Sequence, residues 1–420
     1  MEARYRSTLW ACCFANFFQA VGSCFAILYV PLRGLYGLSF TDFGILVSLN
    51  FITQVASDVL FSKPVEKYGF RPFAVAAPLV SAAGLGLFAA APLLFPRRPF
   101  AGFCAGMFLF AAAGGLQELL LSPILDALPI PEERKARSMS MLHSFFAWGQ
   151  IFVVLATTGL LAVWGAARWQ WIVLLWAAPP VAGAALFCRV PLARKNGGAP
   201  PLPLRALARK GVFYALLAAI VLGGAAEVTM AQWASAFLEK GLRLPKLAGD
   251  VWGVCFFSLM LALGRSGYAA LGARVPLHRL LIGGSGAAAV LYVVCALAQS
   301  PLLGVLACGL TGLCVSLLWP GAIILASRRI PSAGAAMFAL LSAGGDVGAS
   351  LGAFCVGRAA DWAQASGTVF AGAAGESGAL RAGLLLAAVF PLLCCGVHTA
   401  LHCSEARAGL PARGERRHGQ

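Results

Sequence analysis

Apolar runs of about twenty residues recur from one end of this 420-residue chain to the other, and each can cross a hydrocarbon core ~30 Å thick at ~1.5 Å per helical residue. In lipid an unpaired backbone amide costs several kcal/mol, so such runs must be helices or closed barrels. The alternating apolar and polar pattern of a membrane barrel is absent. Composition agrees: 60% of residues are hydrophobic and 11% are charged, where a soluble surface needs roughly a quarter charged. The runs predict helices near 8–30, 41–62, 73–95, 100–128, 138–163, 170–190, 211–238, 247–270, 280–299, 301–327, 334–360 and 380–403. The expected fold is therefore an all-α membrane protein of twelve transmembrane helices.

The stretch from Pro191 to Lys210 is the one long linker, rich in Pro, Gly and Arg. It divides the chain into a six-helix bundle over 1–190, a linker over 191–210 and a second six-helix bundle over 211–403, with a tail over 404–420. Gly115-Leu116 followed by Leu120-Leu121-Ser122-Pro123 returns as Gly312-Leu313 and Leu317-Leu318-Trp319-Pro320 at the same spacing, which points to two pseudo-symmetric halves. Basic residues mark one side of the membrane: Arg4, Arg6, Lys63, Lys67, Arg71, Arg134, Lys135, Arg137, the linker, Arg274, Arg279, Arg328, Arg329 and the tail. That side holds about twenty-two Lys and Arg against about seven opposite, so the positive-inside rule puts both termini and the linker in the cytoplasm. An even helix count requires the same. A cell (inner) membrane protein is expected, and the first apolar run lacks a cleavage site and reads as a retained helix.

The net charge of +16 does not signal nucleic acid, because the basic residues sit in short loops rather than on one continuous face. The 13 cysteines lie almost all inside apolar runs, with no CxxC pair at metal spacing, and read as small core hydrophobes. No nucleotide-binding loop, HExxH or GxSxG motif occurs. Neither an enzyme nor a bound cofactor or metal is expected.

Polar groups inside spans are expensive and face a cavity, a partner or a pathway. Asn16 and Gln19 sit in helix 1, Asp58 in helix 2, Gln117 and Glu118 in helix 4, and His143 and Gln150 in helix 5. Glu227 and Gln232 follow in helix 7, Arg265 in helix 8 and Asp346 in helix 11. Helices 3, 6, 9 and 12 have almost none in their middles. Glu118 lies about ten residues from the cytoplasmic end of its helix, roughly 15 Å deep. Beside Gly114 and Gly115 it suits reversible protonation; the alternative is a structural carboxyl bonded to a neighbouring helix. Glu227 and Asp346 are further proton-coupling candidates, and Asp346, among Gly344, Gly345, Gly348 and Gly352, reads equally as part of a helix contact. Asn16, Gln19, Gln117, His143, Gln150 and Gln232 are the candidate substrate ligands. His143 could equally be interfacial, and Phe145, Phe146 and Trp148 beside it could stack on a sugar or simply pack. Asp58 and Arg265 stand near cytoplasmic helix ends and read as gate or packing residues.

The run Ser62-Lys63-Pro64-Val65-Glu66-Lys67-Tyr68-Gly69-Phe70-Arg71 resembles the loop signature between helices 2 and 3 of the major facilitator superfamily. Ser62 replaces its first Gly, Glu66 stands for its Asp, Lys67 for its Arg, and Gly69 is kept. The resemblance implies that Glu66, Lys67 and Arg71 serve the cytoplasmic gate, and that two six-helix halves rock about a central site. The second-half copy has Ala273 at the acidic position and Arg274 beside it. Within that superfamily the chain looks most like the fucose-permease-type proton/sugar symporters. Glu118 with Pro123 five residues on, and Leu142-His143-Ser144-Phe145-Phe146-Ala147-Trp148-Gly149, carry the likeness. By it Glu118 takes the proton and His143 occupies a sugar-contacting place, while Ala20 stands where the helix-1 carboxylate would be.

The expected function is proton-coupled movement of a small polar, sugar-like solute by alternating access, with substrate, protons and bilayer as the partners and a monomeric protein. The rivals are a proton-driven exporter of drugs or metabolites on the same fold and a non-transporting membrane sensor.

Overall fold

Long helices account for nearly all of the chain in the computed structural model, which describes residues 2–38, 40–192, 204–271, 275–330, 334–367 and 369–407. Linker residues 193–203, Ala273 and Arg274, and the tail beyond Arg407 lie outside the described residues.

Helix α1 runs over Glu2–Gln19 and, through a tight turn at Ala20–Gly22, into Ser23–Tyr36. Then come α2 (Phe40–Tyr68), α3 (Phe70–Leu94), α4 (Pro99–Asp126), α5 (Glu132–Trp164) and α6 (Trp169–Arg189). After a short helix at Leu204–Ala208 follow α7 (Gly211–Ala236), α8 (Phe256–Leu271) and α9 (Leu277–Leu297). Helix α10 is in two pieces, Pro301–Val315 and Leu318–Arg329, α11 is Gly334–Ala365, and α12 is Gly375–Ala387 continued by Val389–Arg407. Eleven helices among the described residues are long and apolar enough to cross a membrane; α2, 29 residues long, is the twelfth long helix, and carries Asn50, Gln54 and Asp58 in its apolar run. The architecture is all-α with twelve spans, as the apolar runs predict.

Three boundaries differ from expectation for local reasons. The basic signature run is mostly helix, not loop: α2 continues through Pro64 to Tyr68, and only Gly69 breaks it, at φ 82°. That conformation is open to Gly and strained for residues with a Cβ, which explains why the glycine is the retained element. Helix α5 starts at Glu132, a turn and a half before the apolar run, with Glu132 and Glu133 at its positive end. Helix α10 is interrupted at Ser316–Leu317 because Pro320 has no N–H to offer the Ser316 carbonyl.

The chain falls into two units. One comprises Met1–Pro131, Phe145–Leu202 and Ser332–Ala343; the other comprises Glu132–Ser144, Pro203–Pro331 and Gly344–Gln420. In the first unit an aromatic core joins Phe25, Phe88, Phe103, Phe110 and Trp169. Gly84 and Gly106 let α3 and α4 meet backbone to backbone. Arg71 closes one end of this unit. Its guanidinium donates to the carbonyls of Phe187, Cys188 and Val190 at 3.1, 2.7 and 2.9 Å, capping the C-terminus of α6.

In the second unit the glycine stripe of α11 faces α7. A Cβ at Gly348 would collide with the Val221 carbonyl, and one at Gly352 with Thr229 and the Ala225 backbone. Helix α12 is less lipid-like than its sequence suggests, since it buries Arg381 and His398. Arg381 Nη1 donates to the carbonyls of Ala296 and Ala298 at 3.1 and 2.5 Å, and Nη2 to that of Gly241 at 3.4 Å. One cation thereby ties the end of α9 and the turn after α7 to the start of α12.

Candidate functional site

The second unit holds a buried ion pair. Arg265, on α8, is 3% exposed and Glu227, on α7, is 8% exposed. Arg265 Nη2 donates to both Glu227 carboxylate oxygens, at 2.7 and 2.8 Å. Two ions taken from water cost several kcal/mol each, which their attraction offsets only when the remaining donors are also satisfied. Here they are. Nε donates to the Ser316 carbonyl at 2.9 Å and Nη1 to the His143 carbonyl at 3.1 Å. The Ser316 oxygen is the one that Pro320 leaves without a helical partner, so the α10 break and the α8 cation satisfy one another. Gly264 makes the approach possible, since a Cβ there would collide with the Ser316 side chain.

The beginning of α5 belongs to the same cluster. Ser140 Oγ donates to the Arg265 carbonyl at 2.7 Å, and Arg137 donates through Nε and Nη2 to the carbonyls of Ala269 and Ala270 at 2.8 and 3.0 Å. His143 Nε2 is buried with no hydrogen-bond partner among the described residues.

These positions revise several expectations. Arg265 is 3% exposed with six residues of α8 beyond it, about 9 Å of helix, and its partner is Glu227, which the sequence offers as a proton-coupling candidate. Glu227, Arg265 and His143 are thus brought together. Asp346 is buried on α11 next to Gly345, whose carbonyl lies against Gly224 on α7. Gln232 is exposed.

In the first unit Gln117 Nε2 donates to the Ala15 carbonyl at 2.8 Å and reaches Gln19 Oε1 at 3.5 Å, uniting two of the predicted polar positions on α1 and α4, and Asn16, the residue after Ala15, is buried. Glu118 follows Gln117, half-buried and with an interaction of its own. Its neighbour Gly115 lies against the backbone of Gln54 and the side chain of Ser57 on α2, while a Cβ at Gly114 would meet only the Gln54 side chain, at 3.6 Å. Phe145 packs edge-on against Trp10 and Phe17, so this ring serves the α1–α5 contact. Asp58 is buried on α2, and Gln150 is half-buried on α5. Glu66 and Lys67 are exposed, with Lys67 Nζ 5.1 Å from the Tyr68 ring. Among the described residues no group of three or more His, Cys, Asp or Glu is placed to hold a metal ion.

Sequence reasoning missed Arg137, Ser140 and the Ser316 carbonyl. The i, i+3 spacing of Arg137, Ser140 and His143 puts them on one helix face, and Pro320 signals the orphan carbonyl four residues earlier; both signals were present.

Comparison with known proteins gives the fold a family. The family model described as Major Facilitator Superfamily matches residues 9–353, while no curated protein sequence matches the chain. Among solved structures, FucP, the E. coli fucose:proton symporter, in the outward conformation aligns with a TM-score of 0.78 at 15% identity, covering 94% of this chain and 98% of its own. The proton:xylose symporter XylE gives 0.77 at 12% identity over 95% of this chain and 96% of its own. The human organic anion transporter MFSD10 gives 0.72 at 14% identity over 94% and 99%. With one family model spanning most of its length and the same fold in each of these transporters, the chain belongs to the Major Facilitator Superfamily.

Proposed function

We propose that the protein is a proton-coupled secondary transporter that moves a small polar, sugar-like solute by alternating access. The observation that carries this reading is the Glu227–Arg265 pair. Apolar residues of similar volume would often be as stable as a buried ion pair, and ionisable groups inside spans mark substrate and proton pathways. A proton on Glu227 converts a pair of full charges into a neutral acid beside a cation. The guanidinium is then held by two carbonyls alone, and its hold on α7 weakens. Glu118 is the corresponding carboxyl in the first unit, with Asp346 as a third; Asn16, Gln19, Gln117, His143, Gln150 and Gln232 supply hydrogen-bonding groups for hydroxyls. Asp58, Glu66, Lys67, Arg71 and Arg265 are the proposed gate residues, although Arg71 also caps α6. Supporting the sugar class are the Glu118–Pro123 spacing and the fold shared with the fucose:proton symporter FucP and the proton:xylose symporter XylE. The linker over 191–210 supports six helices in each half, and loop charge supports a cell-membrane location with cytoplasmic termini.

The test is uptake of a panel of hexoses, deoxyhexoses and pentoses into proteoliposomes, with and without an inward proton gradient, for the native chain, Glu118→Gln and Glu227→Gln. The native chain accumulates one class of sugar only when the gradient is present, while both variants exchange sugar without accumulating it. Accumulation by either variant against a gradient removes that carboxyl from the coupling assignment; no uptake of any sugar refutes the substrate class.

A further inference from the structure

The hydrogen bonds around Arg265 tie more than an ion pair. Along one face of α5, Arg137, Ser140 and His143 each meet α8. Arg137 caps the Ala269 and Ala270 carbonyls, Ser140 donates to the Arg265 carbonyl, and the His143 carbonyl accepts from Arg265 Nη1. The Glu132–Ser144 stretch of α5 lies in the second unit, while Phe145 onward lies in the first. Of the four bonds, the one to His143 comes from the same guanidinium that holds Glu227. It therefore depends on where the carboxylate keeps that side chain, whereas the Arg137 and Ser140 bonds to backbone do not.

We propose that Arg137 and Ser140 are positioning residues that hold the opening turns of α5 on α8, and that Arg265 makes this hold responsive to the charge on Glu227. When Glu227 is ionised, the guanidinium is fixed on three sides, by α7, α10 and α5, and the whole face from Arg137 to His143 is engaged. When Glu227 takes a proton, the charge-assisted bonds to α7 weaken, the guanidinium turns from His143, and only the Arg137 and Ser140 bonds remain.

Among the described residues, the titratable groups facing the pair include His143 of α5, whose imidazole is buried beside Arg265, and groups on elements packed against α7. Tyr292 of α9 donates to the Ala226 carbonyl at 2.7 Å, Cys394 of α12 lies at the Ala219 carbonyl, and Asp346 sits on α11 beyond Gly345. None of these replaces the carboxylate at Arg265 Nη2. The inference rests on the transport reading for its purpose but not for its geometry.

The experiment is hydrogen exchange by mass spectrometry on the full chain in lipid nanodiscs, following segments 132–144 and 262–271, with α3 as the reference. Each lost hydrogen bond raises local opening about fivefold. Arg137→Gln and Ser140→Ala are expected to speed exchange in both segments, and Glu227→Gln to do so without touching either residue, with α3 unchanged. Native-like exchange of segment 132–144 in Glu227→Gln overturns the proposal. So does a rise that extends equally to α3, which makes the pair a general stabiliser. In proteoliposomes, Ser140→Ala shifts the pH of half-maximal uptake while the half-saturating sugar concentration stays as in the native chain; a lowered maximal rate with no pH shift contradicts a positioning role. Exchange results that follow the expectation in a chain that carries no sugar leave the α5–α8 hold standing and refute only the sugar class of the transport reading.

Discussion

Replacing Arg265 by Met removes a cation from a carboxylate 2.7 Å away and uncovers the Ser316 carbonyl. With charge centres about 4 Å apart and an effective dielectric of about 20, the pair interaction is about 4 kcal/mol, within the roughly 3–5 kcal/mol that breaking a buried pair costs. The orphaned Ser316 oxygen adds about 1–3 kcal/mol; the His143 carbonyl adds little, because it stays inside the helical ladder of α5. Arg265→Met is therefore expected to lose about 5–7 kcal/mol, and Glu227→Gln about 3–4 kcal/mol. In the double variant no charge is left unpaired, so only the Ser316 term remains, about 1–3 kcal/mol. The cycle should thus show a coupling of about 7–8 kcal/mol, five to six powers of ten in the unfolding equilibrium. Unfolding in mixed detergent micelles, followed by fluorescence of the 10 tryptophans, measures all four proteins. If the double variant loses the sum of the two single losses, to within about 0.5 kcal/mol, the two side chains do not act as a pair and the site is misread.

Other substitutions follow from single contacts. Pro320→Ala supplies an N–H to the Ser316 carbonyl in competition with Arg265 Nε, so the same cycle in that background should lower the cost of Arg265→Met by about 1 kcal/mol. Gly264→Val drives a side chain into Ser316 and should cost about 1–3 kcal/mol by the same unfolding assay, whereas Gly267→Ala, where a Cβ meets nothing within 4 Å, should fall within about 0.5 kcal/mol of the native chain. Arg71→Gln uncaps α6 and should lower stability by about 0.3–1 kcal/mol, an effect that shrinks as salt is raised.

The helices were legible because their cause is local: a lipid-length apolar run with no partner for its amides but its own carbonyls. The break in α10 was not anticipated, although the one residue that decides it, Pro320, stands in the sequence. Gly69 shows the opposite case, where the basic run around it reads as a loop although Ser62 to Tyr68 remain helical and a single positive φ makes the whole turn. The candidate site was legible only as a set of residue types. Glu227 and Arg265 stand 38 residues apart, and nothing in either helix alone says that their faces meet. Proximity to a helix end suggested a gate or packing role for Arg265 without naming its partner, because distance was judged along α8 and not across the helices packed around it. Arg137 and Ser140 escaped notice for a related reason: the one reads as a loop cation and the other as a small residue in the first turn of an apolar run, and only the backbone of α8 gives them partners. Arg381 is the same error in α12.

Proton exchange between the site and bulk water tests the central claim most directly. Purified protein in weakly buffered proteoliposomes, without an imposed gradient, is mixed with the sugar it carries, and a glass electrode records the external pH. Coupled entry of sugar and protons predicts a rise in external pH that saturates with sugar concentration, and that is absent in Glu227→Gln although sugar still exchanges. Sugar entry with no pH change in the native chain, or an unchanged signal in Glu227→Gln, contradicts a proton-dependent Glu227–Arg265 pair.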